Sequence, residues 1–131
     1  MANTPDDLKY SKDHEWVRST GNGRVRVGIT DHAQKQLGDV VFVELPKKND
    51  RFENSEPFGS VESVKAVSEV YMPLTGTIAA VNENLNDDPD HVNADPYGDG
   101  WMIEIALADA AELAGLLTAA EYEDYIREEA G

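Results

Sequence analysis

The 131-residue chain contains no cysteine. A disulfide framework, a thiolate metal site and a cysteine nucleophile are therefore excluded. It also has no apolar run that approaches the roughly 20 residues of a membrane-spanning helix. Residues 1–10 lack a basic segment leading into an apolar stretch, which predicts neither a signal peptide nor a transit peptide. We expect a cytoplasmic protein, and the 40% of hydrophobic residues are sufficient for one domain spanning residues 1–131.

Basic residues are scarce in the later part of the chain. Residues 1–50 contain eight basic and eight acidic residues, whereas residues 51–131 contain 3 basic and 18 acidic residues, which accounts for the whole net charge of −15. This balance argues against binding to nucleic acid or to an anionic membrane surface. Between Arg51 and Arg127 the only basic side chain is Lys65. Two interpretations remain open: a lysine-poor domain that is acidic for solubility, and a surface that presents a single amine without competitors.

Short strands and turns dominate most of the chain. The segments 14–20 and 24–30 flank Gly21, Asn22 and Gly23, and this pattern predicts a hairpin. Further strands are expected at residues 40–45, buried on both faces, and at 58–64, 66–71, 77–81 and 101–107. Short strands at this spacing are typical of a sandwich or a barrel.

Helices are expected in three places. A short helix at 31–37 would be capped by Thr30 or Asp31 and would end before Gly38. The polar connection at 82–100 has room for one helical turn near residues 89–92. Two C-terminal helices are expected at about 109–129, each preceded by capping-box spacing, in the pairs Asp109 with Glu112 and Thr118 with Glu121.

Patterns typical of catalytic sites are missing. The chain has no Gly-x-Ser-x-Gly elbow and no glycine-rich phosphate loop. The histidines at positions 14, 32 and 91 are scattered along the chain, so no metal site is predicted. Glu15 adjoins His14, but neighbouring side chains on a strand point to opposite faces, and we interpret both as surface residues. The aspartates between residues 87 and 99 lack EF-hand spacing and are interpreted as a solvated loop.

The stretch Val61-Glu62-Ser63-Val64-Lys65-Ala66 resembles the lipoyl-attachment motif of the glycine cleavage system H protein family. The resemblance covers nearly the whole chain, from about residue 8 to residue 127. Other matching segments occur in the family's order: Tyr10, Lys12 to Val17, Gly28 to Gln34, Leu37 to Pro46, Asn93 to Gly98, and Gly100 with Trp101.

This resemblance implies a fold and a function. The fold would be α+β and mainly β, a lipoyl-type hybrid barrel-sandwich of two antiparallel sheets with short helices, including the C-terminal segment. The lipoyl hairpin would lie around residues 58–71. The protein would be a carrier and cosubstrate, not an enzyme, and a monomer. It would take the aminomethyl group of glycine from the pyridoxal-phosphate decarboxylase (P protein) to the tetrahydrofolate-dependent aminomethyltransferase (T protein). Dihydrolipoyl dehydrogenase (L protein) would then reoxidise it.

The resemblance also assigns residues. Lipoate would be joined by an amide to Lys65, and a lipoate-attaching enzyme would recognise Glu62 together with Gly76, a glycine expected at a backbone turn. Glu15 would guard the loaded arm in a cleft, with Glu69 as a second candidate for this role. Neither a catalytic residue nor a metal ligand is implied.

Alternatives to this function differ in the group that Lys65 carries. A lipoyl domain of a 2-oxoacid dehydrogenase and an H-like protein that relays lipoate would both bear lipoate. A biotin carrier would normally have methionine on both sides of the lysine, whereas here the neighbours are Val64 and Ala66. An interaction protein that binds through its acidic face would remain unmodified. Intact mass after expression with lipoate separates these classes.

Overall fold

The computed structural model describes residues 4–130, and strands account for most of the regular structure. The strands in this range are β1 (Lys9–Tyr10), β2 (Glu15–Gly21), β3 (Arg24–Ile29), β4 (Val40–Glu44), β5 (Arg51–Phe52), β6 (Pro57–Ser63), β7 (Val67–Tyr71), β8 (Gly76–Val81) and β9 (Ile103–Leu107). The helices are α1 (Asp31–Leu37), α2 (Asn84–Asp87), α3 (His91–Ala94), a 3-10 helix (Ala110–Gly115) and α4 (Ala119–Ala130). In this part of the chain, none of the helices has the length and apolar character needed to cross a bilayer.

Two antiparallel sheets pack against each other. The larger has six strands in the order β1-β2-β3-β9-β8-β5, and the smaller has three in the order β4-β6-β7. Their inner faces share one core, to which the larger sheet contributes Val27 and Ile105 and the smaller sheet contributes Val43, Val61 and Val70. The predicted mainly β fold, with two antiparallel sheets and a helical C-terminus, is confirmed.

The first hairpin and the helix after it follow the sequence signals closely. Strands β2 and β3 pair across a turn in which Asn22 and Gly23 have φ of 56° and 72°. The side chain of Thr30 accepts a hydrogen bond from the backbone N–H of Ala33 and so caps α1. Gly38, with φ of 81°, ends the helix, since glycine adopts positive φ without a steric cost. The hairpin and the capped helix are therefore confirmed.

The prediction that β4 is buried on both faces is wrong. Val40 and Val43 are buried in the core, but Val41 and Phe42 are 50% and 49% exposed. The small sheet has the core on one side only, so an all-apolar run does not require two covered faces. A row of exposed side chains crosses the outer face from Phe42 through Glu62 to Val67, because these residues are aligned in neighbouring strands.

The C-terminal segment covers a second, aromatic core, which contains Leu8, Tyr10, Trp16, Tyr97, Ala119 and Tyr122. The rings of Tyr10 and Tyr122 stack with centroids 4.7 Å apart. The capping box before α4 is confirmed, because Thr118 and Glu121 exchange side-chain-to-backbone hydrogen bonds of 2.9 and 3.2 Å.

One local prediction for the later part of the chain is wrong, and another is incomplete. Glu112 does not close a capping box with Asp109, because its carboxylate instead accepts hydrogen bonds from the backbone N–H and the hydroxyl of Thr75. The helical turn expected near residues 89–92 is present as α3, and the polar connection also contains a second turn, α2, that was not expected from the sequence. Each turn buries one apolar side chain, Leu85 and Val92 respectively, in the main core.

Candidate functional site

Lys65 lies at the turn between β6 and β7, where Ser63 fixes the backbone. The buried Ser63 hydroxyl accepts hydrogen bonds from the backbone N–H groups of Lys65 and Ala66 at 3.3 and 3.1 Å. The backbone N–H of Ser63 donates to the carbonyl of Ala66 at 2.7 Å. Sequence reasoning did not assign this role to Ser63, although serine before a turn is a known signal for such a bond. The turn therefore holds Lys65 exposed on an ordered backbone.

The lysine turn is also tied to the end of α1. The backbone N–H of Val64 donates to the carbonyl of Asp39 at 3.0 Å. A Cβ atom at Gly38 would lie 3.5 Å from Cε of Lys65, so the lysine side chain passes this helix end. The base of the Lys65 side chain thus has a fixed position relative to α1.

The surface next to Lys65 is unusually apolar. Val64 and Val67 flank the lysine turn and are 70% and 67% exposed. Glu62 is also exposed and lies between Phe42 and Val67 in the row across the outer face. A protein approaching Lys65 can therefore reach the Glu62 carboxylate and the apolar side chains beside it.

Gly76 lies in the other sheet and is buried. It begins β8, where it pairs with Phe52 on one side and Leu107 on the other. The expectation of a backbone turn at this position is wrong, because Gly76 belongs to a paired strand. A Cβ atom here would lie 2.4 Å from Cγ2 of Ile105 and 2.5 Å from the carbonyl oxygen of Ala106. The absence of a side chain is thus a packing requirement of the larger sheet.

A cleft of about 150 Å³ separates α1 from the hairpin that bears Lys65. Its lining includes Glu15 from β2, Ala33 and Leu37 from α1, and Val61, Glu69 and Val70 from the hairpin. We call it the Glu15 cleft. The structure therefore brings Glu15 and Glu69 together along one cavity whose wall is formed by the lysine-bearing hairpin.

Glu15 is buried, and the interpretation of it as a surface residue is wrong. Only 1% of the surface of this residue is exposed to solvent. The Ser11 hydroxyl donates to Oε1 at 2.6 Å, and the backbone N–H of Tyr71 donates to Oε2 at 3.3 Å. Burial raises the pKa of Glu15 to about 8, and the negative charge of Asp13 adds to this effect. The carboxyl group is thus held in place but lacks a compensating cation among the described residues.

His14 is half-buried beside Glu15, and its backbone has a positive φ of 67°. Its Nδ1 lies 2.8 Å from the hydroxyl of Tyr122, and its Nε2 lies 3.0 Å from Oε1 of Glu129. Burial lowers the pKa of His14 below its usual value, although Glu129 opposes this shift. The ring of His32 lies 5.0 Å away between centroids. The interpretation of these two histidines as scattered is therefore wrong for the folded chain.

The comparisons with known proteins agree with this arrangement. Residues 8–129 match the family model described as glycine cleavage H-protein. A glycine cleavage system H protein from Herpetosiphon aurantiacus is 58% identical over 130 residues, covering 99% of this chain and 98% of the relative. One from Bacillus licheniformis is 54% identical over 126 residues, covering 96% and 98% respectively.

A solved structure of a protein with the same name as these relatives also resembles this chain. The crystal structure of a glycine cleavage system H protein from Mycobacterium marinum has a TM-score of 0.83 and 42% sequence identity. The match covers 92% of this chain and 96% of the other. The sequence, the sheet arrangement and these matches over nearly the full length lead to one conclusion: this chain belongs to the glycine cleavage H-protein family.

Proposed function

We propose that this protein is a lipoyl-bearing carrier of the glycine cleavage system. Lipoate in amide linkage to Lys65 would supply the dithiolane that accepts the aminomethyl group of glycine. The protein carries this group from the P protein to the T protein, and the L protein reoxidises the dithiol. It acts as a cytoplasmic monomer, a single domain of residues 1–131, and has no turnover of its own.

The presentation of Lys65 is the observation that carries this proposal. Its amine is exposed on a turn fixed by Ser63, and residues 4–130 provide it with no ion-pair partner. An amine in this state can be acylated without first breaking a salt bridge. The first basic residue before Lys65 is Arg51 and the first after it is Arg127, so the hairpin itself offers a modifying enzyme one amine.

Intact mass spectrometry tests this assignment. The chain is expressed with lipoate and a lipoate-attaching enzyme, alongside Lys65→Arg and the control Lys48→Arg, which replaces another exposed lysine. We expect one lipoyl increment in the unmodified sequence and in Lys48→Arg, and none in Lys65→Arg, since arginine retains the charge but cannot form the same amide. A lipoyl increment on Lys65→Arg would disprove the assignment. A biotin increment would favour a biotin carrier, and no increment on any variant would favour an unmodified interaction protein.

A second measurement separates the glycine cleavage role from the other lipoate-bearing alternatives. Decarboxylation of glycine by the P protein is measured with the lipoylated chain as cosubstrate. We expect activity that saturates with carrier concentration and disappears with Lys65→Arg. Lipoylation without any such activity would instead favour a lipoate relay or a 2-oxoacid dehydrogenase domain.

We further propose that the Glu15 cleft protects the loaded arm. The aminomethyl group carries a primary amine, which is cationic near neutral pH. Glu15 supplies a buried carboxyl whose oxygens are positioned by Ser11 and Tyr71. An ammonium beside it would compensate the charge that burial disfavours and would form a charge-assisted hydrogen bond. The neutral dithiolane offers no such charge, so the carboxyl group distinguishes the loaded arm from the empty arm.

Formaldehyde release from the loaded protein, without the T protein, measures this protection. Glu15→Gln retains the shape of the side chain but cannot ionise beside the ammonium, and Glu44→Gln makes the same change at an exposed strand position. We expect faster release from Glu15→Gln only, with lipoylation unchanged. Glu69→Gln tests the second carboxylate of the cleft. Equal rates for the Glu15 variant and the unmodified sequence would show that other residues protect the arm.

A further inference from the structure

Three side chains from distant parts of the sequence meet beside the aromatic core. His14 precedes β2, His32 lies in α1, and Glu129 lies near the end of α4. One ligand atom from each, a ring nitrogen or a carboxylate oxygen, lies within 4.8 Å of the other two. We propose that these residues form a binding site for a divalent transition-metal ion, with Zn²⁺ as the ion that fits best.

An unpaired buried nitrogen gives independent support for the site. Nε2 of His32 is shielded from solvent and has no hydrogen-bond partner among the described residues. Buried polar atoms are nearly always paired, and an exception requires an explanation such as an ion that is not present in the structure. A metal ion bound at Nε2 would satisfy this nitrogen.

The environment of His14 is typical of a metal ligand. Its Nδ1 lies 2.8 Å from the hydroxyl of Tyr122, which itself lies 2.7 Å from Oγ1 of Thr30. Metal-binding histidines commonly engage their second nitrogen in such a bond, which fixes the orientation of the ring. The other nitrogen, Nε2, is thereby directed toward Glu129.

The spacing of the ligands is compatible with a small ion. Metal bonds of about 2.0–2.1 Å place neighbouring ligand atoms of a tetrahedral zinc site roughly 3.3 Å apart. Nε2 of His14 and Oε1 of Glu129 are 3.0 Å apart, close to this spacing. The Glu129 side chain is 40% exposed, so it can move as the wider separations close around an ion.

The chemistry of the ligands selects the metal. Two imidazoles and one carboxylate suit zinc and its transition-metal neighbours, whereas calcium and magnesium prefer sites made entirely of oxygen. Three protein ligands leave a fourth position for water. A bound ion would join the residue that precedes β2, and helix α1, to the C-terminal helix. It would lie on one side of the Glu15 cleft, which His14 also lines.

Calorimetric titration with zinc sulfate tests the proposal on the full-length chain without an affinity tag. The Lys65→Arg background is used because a lipoyl dithiol would bind zinc itself. We expect one ion per chain, with affinity at least about tenfold weaker in His32→Gln and in Glu129→Gln. His91→Gln is the matched control, because that histidine lies outside the cluster, and it should bind like the background protein.

Co²⁺ provides a second probe, since the intensity of its visible absorption reports its coordination geometry. We expect a tetrahedral spectrum that is lost in Glu129→Gln, a change at a partly exposed side chain that does not alter the core. The absence of zinc binding up to millimolar concentration would overturn the proposal. Binding that both His32→Gln and Glu129→Gln leave unchanged would overturn it equally.

Discussion

Replacing Gly76 with alanine should destabilise the fold because the new methyl group has no space. Its Cβ would lie 2.4 Å from Cγ2 of Ile105 and 2.5 Å from the carbonyl oxygen of Ala106, whereas Cβ atoms essentially never approach other atoms within 3.0 Å. Both neighbours belong to β9, which is paired with β3 on one side and β8 on the other. The strand therefore cannot move away without disturbing two ladders of hydrogen bonds.

The size of the effect follows from two opposing terms. Overpacking of a core costs about 1–3 kcal/mol, and contacts this short with a paired backbone favour the upper half of that range. Alanine also reduces the entropy of the unfolded chain, which offsets about 0.4–1 kcal/mol. The net loss of about 1–2.5 kcal/mol should lower the melting temperature of a chain of this size by roughly 3–10 °C.

Thermal unfolding and lipoylation rate, measured on the same samples, distinguish a packing role from recognition by the attaching enzyme. Gly115→Ala is the matched control, because a Cβ at that exposed position meets nothing within 4 Å. We expect only Gly76→Ala to unfold at lower temperature, and its lipoylation to be normal well below that temperature. A melting temperature equal to that of the unmodified protein would refute the packing argument. Slow lipoylation of fully folded Gly76→Ala would favour recognition.

Three further predictions concern charge. Glu62→Gln should slow lipoylation and leave the melting temperature nearly unchanged, since Glu62 is an exposed strand residue beside the lysine turn; a normal modification rate would discard its role in recognition. The acidic surface between Glu53 and Glu129 should steer docking onto basic patches of the partner enzymes. The apparent Michaelis constant with the P protein should therefore rise with salt, because salt shortens the Debye length to about 8 Å and below. A Michaelis constant that does not change with salt would refute steering. Burial raises the pKa of Glu15 from 4.5 to about 8. The free energy of unfolding of the unlipoylated protein, compared with that of Glu15→Gln, is therefore most favourable below pH 4.5. This relative stability is lost as the pH rises through about 8. The melting temperature of Glu15→Gln should therefore rise relative to that of the unlipoylated protein between pH 4.5 and about 8. Both are measured in the presence of a chelator. A difference that does not change with pH would contradict the pKa shift.

Signals confined to a few neighbouring residues predicted local structure well. The turn at Asn22 and Gly23, the cap at Thr30 and the end of α1 at Gly38 each depend on the conformational preference of one or two residues, and each is confirmed. The reciprocal bonds before α4 formed for the same reason. Such signals need no knowledge of the rest of the chain.

Burial at the candidate site could not be predicted in the same way. Alternation along β2 places Glu15 and Trp16 on opposite faces, yet both are buried, because other parts of the chain cover each face of this strand. Trp16 belongs to the aromatic core together with Ala119 and Tyr122, and the Glu15 carboxylate accepts a hydrogen bond from the backbone N–H of Tyr71. These partners lie far away in sequence, so a two-residue period contains no information about them.

The relation between the lysine turn and the cleft follows from bonds that connect separate elements. The Ser63 hydroxyl fixes the turn from within, and the bond from Val64 to the Asp39 carbonyl joins the turn to the end of α1. Helix α1 forms one wall of the Glu15 cleft, and the hairpin itself forms another. An arm attached to Lys65 would therefore swing from a base whose distance to the cleft is set by the backbone. The Lys65 amine can therefore be exposed to partner proteins on the hairpin, while an arm attached to it has access to the buried carboxyl of Glu15, which β2 contributes to the same cleft.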